Sequence, residues 1–220
     1  MDSKVATLER IPVGQVNIEG MLELPVDVKS IVLFAHGSGS SRHSKRNNYV
    51  ARVLQNSGIG TLLLDLLTPE EDTDYSTRFD IPLLTHRLLA ATNWIKADQR
   101  TRHLPIGYFG ASTGAAAALQ AAAGSGDEIG AVVSRGGRPD MAGISALENV
   151  KSPTLLLVGG WDDEVIMLNR EAYEHLRCTK ELLIIPGATH LFTEPGTLEE
   201  VARQAAAWFK QYLKPENTAQ

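Results

Sequence analysis

Cysteine is almost missing from this chain. Its 220 residues hold one, Cys178, which excludes an internal disulfide framework and any cysteine-rich zinc site. A basic surplus is missing as well. Twenty-one Lys and Arg stand against 26 Asp and Glu, a net charge of −5, so neither nucleic acid nor an anionic membrane is an expected partner. No window approaches the roughly 20 apolar residues of a membrane-spanning helix. The start, Met1 to Arg10, has no apolar stretch to act as a signal peptide. His43, His86, His103 and His175 show no metal-ligand spacing, and neither a G-x-G-x-x-G nor a P-loop appears. No internal repeat is present. These absences leave a cytoplasmic globular protein, a monomer or small homo-oligomer, whose partner is a small molecule and whose sites hold no metal.

What is present is enough apolar material for a sizeable core. Hydrophobic residues make up 43% and charged residues 21%, and the length lies below the point, about 250–300 residues, where single cores stop growing. One domain over 1–213 is expected, with 214–220 as a flexible C-terminal tail. Short apolar runs recur from Ser30 onward, at 30–35, 61–65, 105–109, 129–133, 154–158 and 181–185, and read as strands buried on both faces. Between them, Ile81, Leu84, Leu88, Ala91 and Ile95 repeat at helical steps, as do Leu198, Val201, Ala205, Trp208 and Tyr212. Two alternating segments, Val5–Val13 and Val16–Leu24, predict an N-terminal antiparallel hairpin. The fold class is therefore α/β, with a mostly parallel twisted sheet and helices on both faces.

In such sheets the loops at the carboxyl ends of the strands build the site. Gly110-Ala-Ser112-Thr-Gly114 fits G-x-S-x-G, follows a strand and opens an alanine-rich helix, the context in which a serine is held exposed on a strained turn. A serine hydroxyl needs a base that is itself held by an acid, in the chain order Ser, Asp or Glu, His. His190 directly follows the last strand. Asp162 and Asp163 both follow the strand 154–158. Asp162 is preferred as the acid, leaving Asp163 to cap the next helix. An oxyanion hole is expected from the backbone N–H of Thr113 and of Ser38, within His36-Gly-Ser-Gly39. His36 is either a second base or, in the preferred reading, a structural brace for that loop. The pieces point to a serine hydrolase.

These residues resemble the α/β-hydrolase superfamily and, within it, the dienelactone hydrolase-like family, over roughly residues 30 to 210. Phe34-Ala-His-Gly-Ser-Gly-Ser-Ser-Arg-His43, Leu62-Leu-Leu-Asp-Leu-Leu-Thr-Pro-Glu-Glu71 and Ser134-Arg-Gly-Gly-Arg-Pro-Asp140 look like signatures of one subgroup. That subgroup also occurs fused to phosphoribosyltransferase-like domains, for which this short chain leaves no room. The resemblance implies a sheet of eight strands, a triad of Ser112, Asp162 and His190, and no cofactor. Dienelactone hydrolases use a cysteine nucleophile, whereas Ser112 stands here, which points to ordinary carboxylic esters of small substrates. Lactone or thioester cleavage by the same triad is the near alternative. A catalytically silent ligand-binding protein is the alternative of another class.

Arg42, His43 and Arg46 follow the first central strand, and Arg135 and Arg138 follow the strand 129–133, so a basic cluster is expected at the catalytic edge. Arg135, and after it Arg42, is a candidate for binding an anionic group of the substrate. The competing expectation pairs these arginines with the acidic loop Glu70–Asp74. Trp161, beside the acid, is a candidate lining residue, whereas Trp94 and Trp208 fall on apolar helix faces. The short stretch between Val133 and Thr154 has no space for a large lid, so the site should be open.

Overall fold

The apolar runs pair side by side as expected. In a computed structural model that describes residues 5–214, β3 (Ser30–Ala35), β4 (Ile59–Leu64), β5 (Ile106–Ala111), β6 (Ile129–Arg135), β7 (Thr154–Gly159) and β8 (Lys180–Ile185) lie parallel. The hairpin of β1 (Val5–Val13) and β2 (Val16–Leu24) joins them antiparallel through β2 and β4. One eight-stranded sheet results, in the order β1-β2-β4-β3-β5-β6-β7-β8. Beyond Lys214, the expected tail lies outside the described residues.

The period of two along each strand sends alternate side chains to two cores. Val32, Phe34, Leu63, Phe109, Val133 and Leu157 face α1 (Lys45–Asn56) and α6 (Thr197–Tyr212). Ile31, Leu33, Leu62, Tyr108, Val132 and Leu156 face α2 (Ile81–Ala97), α3 (Thr113–Ser125) and α5 (Asp163–His175). Each such side chain stabilises the fold by about 1.5–3 kcal/mol through burial alone. The helix α2 buries Ile81, Leu84, Leu88, Ala91 and Ile95, the face its spacing predicts, and it starts where the Asp80 carboxylate accepts the Leu83 N–H at 3.0 Å. α1 has no clean apolar stripe in sequence because its buried side includes Asn47 and Gln55, the latter donating to Thr61 Oγ1 at 2.8 Å.

The strand order sets the place of the site. The chain leaves β3 toward β4 on one side, while β5 pairs with β3 on the other, Ala35 opposite Gly110. The loops after β3 and β5 therefore diverge around a crevice at a topological switch point. Between β6 and β7 the chain holds only a 3-10 turn, Pro139–Ala142, and the short α4 (Ile144–Asn149), so no lid is inserted there. No helix among the described residues is long and apolar enough to cross a membrane.

Candidate active site

Strand β5 runs to Ala111, two residues further than its apolar run predicts, and delivers Ser112 at the start of α3. Ser112 has φ +50° and ψ −123°, a conformation that L side chains rarely hold. Such strain costs on the order of 1–3 kcal/mol and persists where the surroundings over-determine it. Here the flanking glycines do so. A methyl group at Gly110 would run into the Ala115 backbone, and one at Gly114 into the carbonyl oxygen of Ala35. Strand, turn and helix are thus pressed together, with Ser112 at the apex.

His190 follows β8, and its Nδ1 lies 2.6 Å from Asp162 Oδ2. The capping expectation for the acid loop needs correction. Asp163 is the first residue of α5, and Asp162 occupies the cap position with its carboxylate committed to His190 rather than to a helix N–H. Ser112 Oγ makes no hydrogen bond to His190 among the described residues. The two meet through β6 instead: the Ser112 N–H reaches Arg135 O at 3.3 Å, and a Cβ built on Gly136 would lie 3.6 Å from His190 Cε1. Sequence reasoning missed Glu194, which takes the N–H of Thr189 at 3.0 Å and its hydroxyl at 2.8 Å and so clamps the histidine loop. The only signal for it is a carboxylate close behind the histidine.

His36 is buried, with its ring spanning two backbone groups. Nδ1 lies 2.9 Å from Gly37 O, and Nε2 accepts the Leu66 N–H at 3.0 Å. Both bonds are met by a neutral ring with the proton on Nδ1, and burial pushes its pKa below the ordinary value. The ring is thus spent on holding the loop after β3. Ser38 and Thr113 line one small cavity with Gly37, Leu67 and Arg78. Thr113 opens α3, so its N–H has no intrahelical partner. Trp161 stands 68% exposed at the rim, whereas Trp208 is buried against α6's core and donates to Pro153 O at 3.2 Å.

The arginines separate. Arg42, a candidate for substrate, is taken: it ion-pairs with Asp65, its N–H meets Asp65 Oδ1 at 2.6 Å, and it reaches Glu19 at 2.8 Å. Arg138 pairs with Asp140 at 2.7 Å. The acidic loop draws other cations, Arg78 for Asp72 and Arg87 for Glu71, so the expected pairing of the rim arginines with 70–74 does not occur. Arg135 belongs to β6 itself rather than to the loop after it, and its buried Nε and Nη1 have no partner among the described residues.

A parallel sheet opened by an antiparallel hairpin, with a strained serine after β5, an acid after β7 and a histidine after β8, has the architecture of the α/β-hydrolase fold. Within that class the sequence profile of the Dienelactone hydrolase family matches residues 18–214, and the chain belongs to this family. It is 54% identical to a dienelactone hydrolase from Anabaena variabilis ATCC 29413, whose crystal structure covers 96% of this chain with 99% of its own at a TM-score of 0.93. It is also 54% identical, over 204 residues, to a Mycobacterium tuberculosis protein named "Putative phosphoribosyl transferase". That match takes in 93% of this chain and 46% of the other, so the chain spans about half the length of the curated relatives it matches. Est1E from Butyrivibrio proteoclasticus shares the fold at a TM-score of 0.80 and 16% identity, over 93% of this chain and 98% of that one.

Proposed function

We propose that the chain is a serine hydrolase that cleaves carboxylic esters of small substrates. The observation that carries this reading is the strained Ser112 at a strand–helix elbow, on the same sheet edge as a His190 whose Nδ1 is held by Asp162 at 2.6 Å. Ser112 Oγ attacks the carbonyl carbon while His190 Nε2 takes its proton. Asp162 keeps the proton of the neutral ring on Nδ1, which leaves Nε2 free as base, and it stabilises the imidazolium that forms. The N–H groups of Ser38 and Thr113 receive the oxyanion. His190 then returns the proton to the leaving alcohol, and water repeats the sequence on the acyl-enzyme. The lone, unpaired Cys178 suits a reducing compartment, and the reading includes the cytoplasm.

The transferase name belongs to proteins about twice the length of this chain, and the dienelactone hydrolase profile matches residues 18–214 here. The hydrolase reading therefore takes precedence for this part. A lactone is the second reading, favoured by the description of the 54% identical Anabaena protein as a dienelactone hydrolase. Its chemistry uses the same residues, with the leaving alcohol still tethered to the acyl group. A panel of 4-nitrophenyl esters and aryl lactones, run with the chain and with Ser112→Ala, tests the proposal. Turnover that falls to background in the variant is expected. Full turnover in the variant overturns the mechanism, and turnover of lactones alone selects the second reading.

A further inference from the structure

Arg135 is only 8% exposed, and its Nε and Nη1 are buried with no hydrogen bond or ion pair among the described residues. An uncompensated buried charge is among the costlier arrangements in a folded chain. Arg42, Arg78, Arg87 and Arg138 each pair with a carboxylate, whereas the Arg135 guanidinium pairs with none among the described residues. The charge that does act on Arg135 has the same sign. Arg46, in the first turn of α1, lowers the Arg135 pKa together with burial, the larger cause, to about 10, and Arg46 also keeps its own Nε buried without a partner.

We propose that Arg135 and Arg46 form a subsite for a compact oxyanion, a carboxylate or phosphate group carried by the substrate ester. The proposal rests on the hydrolase reading above for the word ester, and on the two guanidinium groups for the word anion. Two cations that repel each other become mutually compatible when an anion lies between them, and the guanidinium fork suits an oxyanion. The place is right for a substrate group. Arg135 pairs in register with Ala111, the neighbour of Ser112, and its carbonyl oxygen takes the Ser112 N–H at 3.3 Å. The next residue, Gly136, packs against His190, a Cβ there falling 3.2 Å from His190 O. The Arg135 backbone is thus tied to the turn that carries the nucleophile, and the next residue to the histidine loop, which fits a subsite for a group of the same substrate.

The test compares 4-nitrophenyl hemisuccinate, the 4-nitrophenyl ester of phosphonoacetic acid and neutral 4-nitrophenyl butyrate, with the wild type, Arg135→Gln, Arg135→Lys and Arg46→Gln. The wild type is expected to favour an anionic ester in kcat/KM. The ratio of anionic to neutral kcat/KM should fall about tenfold in each Gln variant, mainly through KM, as a charge-assisted contact is lost. Arg135→Lys keeps a charge without the fork and should fall between. The anionic ester with the larger ratio tells carboxylate from phosphate. An unchanged ratio in Arg135→Gln and Arg46→Gln overturns the subsite, as does a wild type that prefers the butyrate. Calorimetric titration of inorganic phosphate, and of succinate, into Ser112→Ala, with and without Arg135→Gln, separates the two readings. Binding of either anion that Arg135→Gln weakens upholds the subsite even if no ester is turned over. Ester turnover, with neither phosphate nor succinate bound by Ser112→Ala in the same titration, overturns the subsite and leaves the hydrolase reading standing.

Discussion

Asp162 Oδ2 lies 2.6 Å from His190 Nδ1, and Asp162 makes this contact from the cap position of a helix whose N–H groups it does not serve. The adjacent Asp163 sits in the first helical turn without replacing it. Asp162→Asn should lower kcat for ester hydrolysis on the order of 10^3- to 10^4-fold, because the amide favours the wrong ring tautomer. Asp163→Asn should stay within about twofold, having lost only a first-turn charge. Steady-state kinetics on both variants checks the assignment, and the opposite ranking transfers the role to Asp163.

Gly114 has no room for a side chain, since a Cβ there would collide with the Ala35 carbonyl oxygen across the crevice. The obstacle is backbone of β3, which cannot turn aside. Gly114→Ala should therefore cost about 3 kcal/mol or more, the upper end of overpacking effects. Chemical denaturation reads the loss. A change below about 0.5 kcal/mol, typical of uncritical surface sites, contradicts this close packing.

Arg42 ties β2 to the loop after β4 through Glu19 and Asp65, with only a sixth of its side chain (16%) exposed. Arg42→Met strands the Asp65 carboxylate and should lower stability by about 2 kcal/mol, less than the 3–5 kcal/mol of a fully buried broken pair. Because Arg42 is already neutralised, the preference between anionic and neutral esters should not move. Thermal unfolding and the ester ratio together check this, and a lost preference with intact stability would place Arg42 on the substrate instead.

His36 contributes a pH dependence of stability. Burial lowers its pKa in the folded chain, and Nε2 must stay unprotonated to accept the Leu66 N–H. The unfolded chain takes up that proton below pH of about 6.5 while the folded chain resists it. The contribution is therefore complete above that pH and lost progressively as pH falls toward the folded value. Melting temperatures from pH 7.5 down to pH 5 should fall more steeply for the wild type than for His36→Gln. Parallel slopes would mean that His36 is not the group that resists protonation.

The positions of Ser112, Asp162 and His190 were legible because each follows an apolar run and a turn glycine, and strand ends are where an α/β sheet gathers its reactive groups. Strand limits were less so: β5 and β6 run on to Ala111 and Arg135, past the end of their apolar runs, because pairing with neighbours extends them. The arginines were the least legible. Arg42 finds Glu19 only because the N-terminal hairpin docks β2 on β4, a long-range contact that no local pattern encodes. Arg135 is distinguished by what its side chain fails to meet, and that is visible only in the folded chain, where its Nε and Nη1 are buried without a partner.

The central claim is that Ser112 is the nucleophile. Its most direct test is the intact mass of the chain after reaction with a serine-directed aryl phosphonate, followed by peptide mapping. One adduct per chain, located on Ser112, abolished by Ser112→Ala and slowed strongly by His190→Ala, is the predicted result. An unlabelled but folded wild type, or an adduct that persists at full rate in Ser112→Ala, would contradict the account.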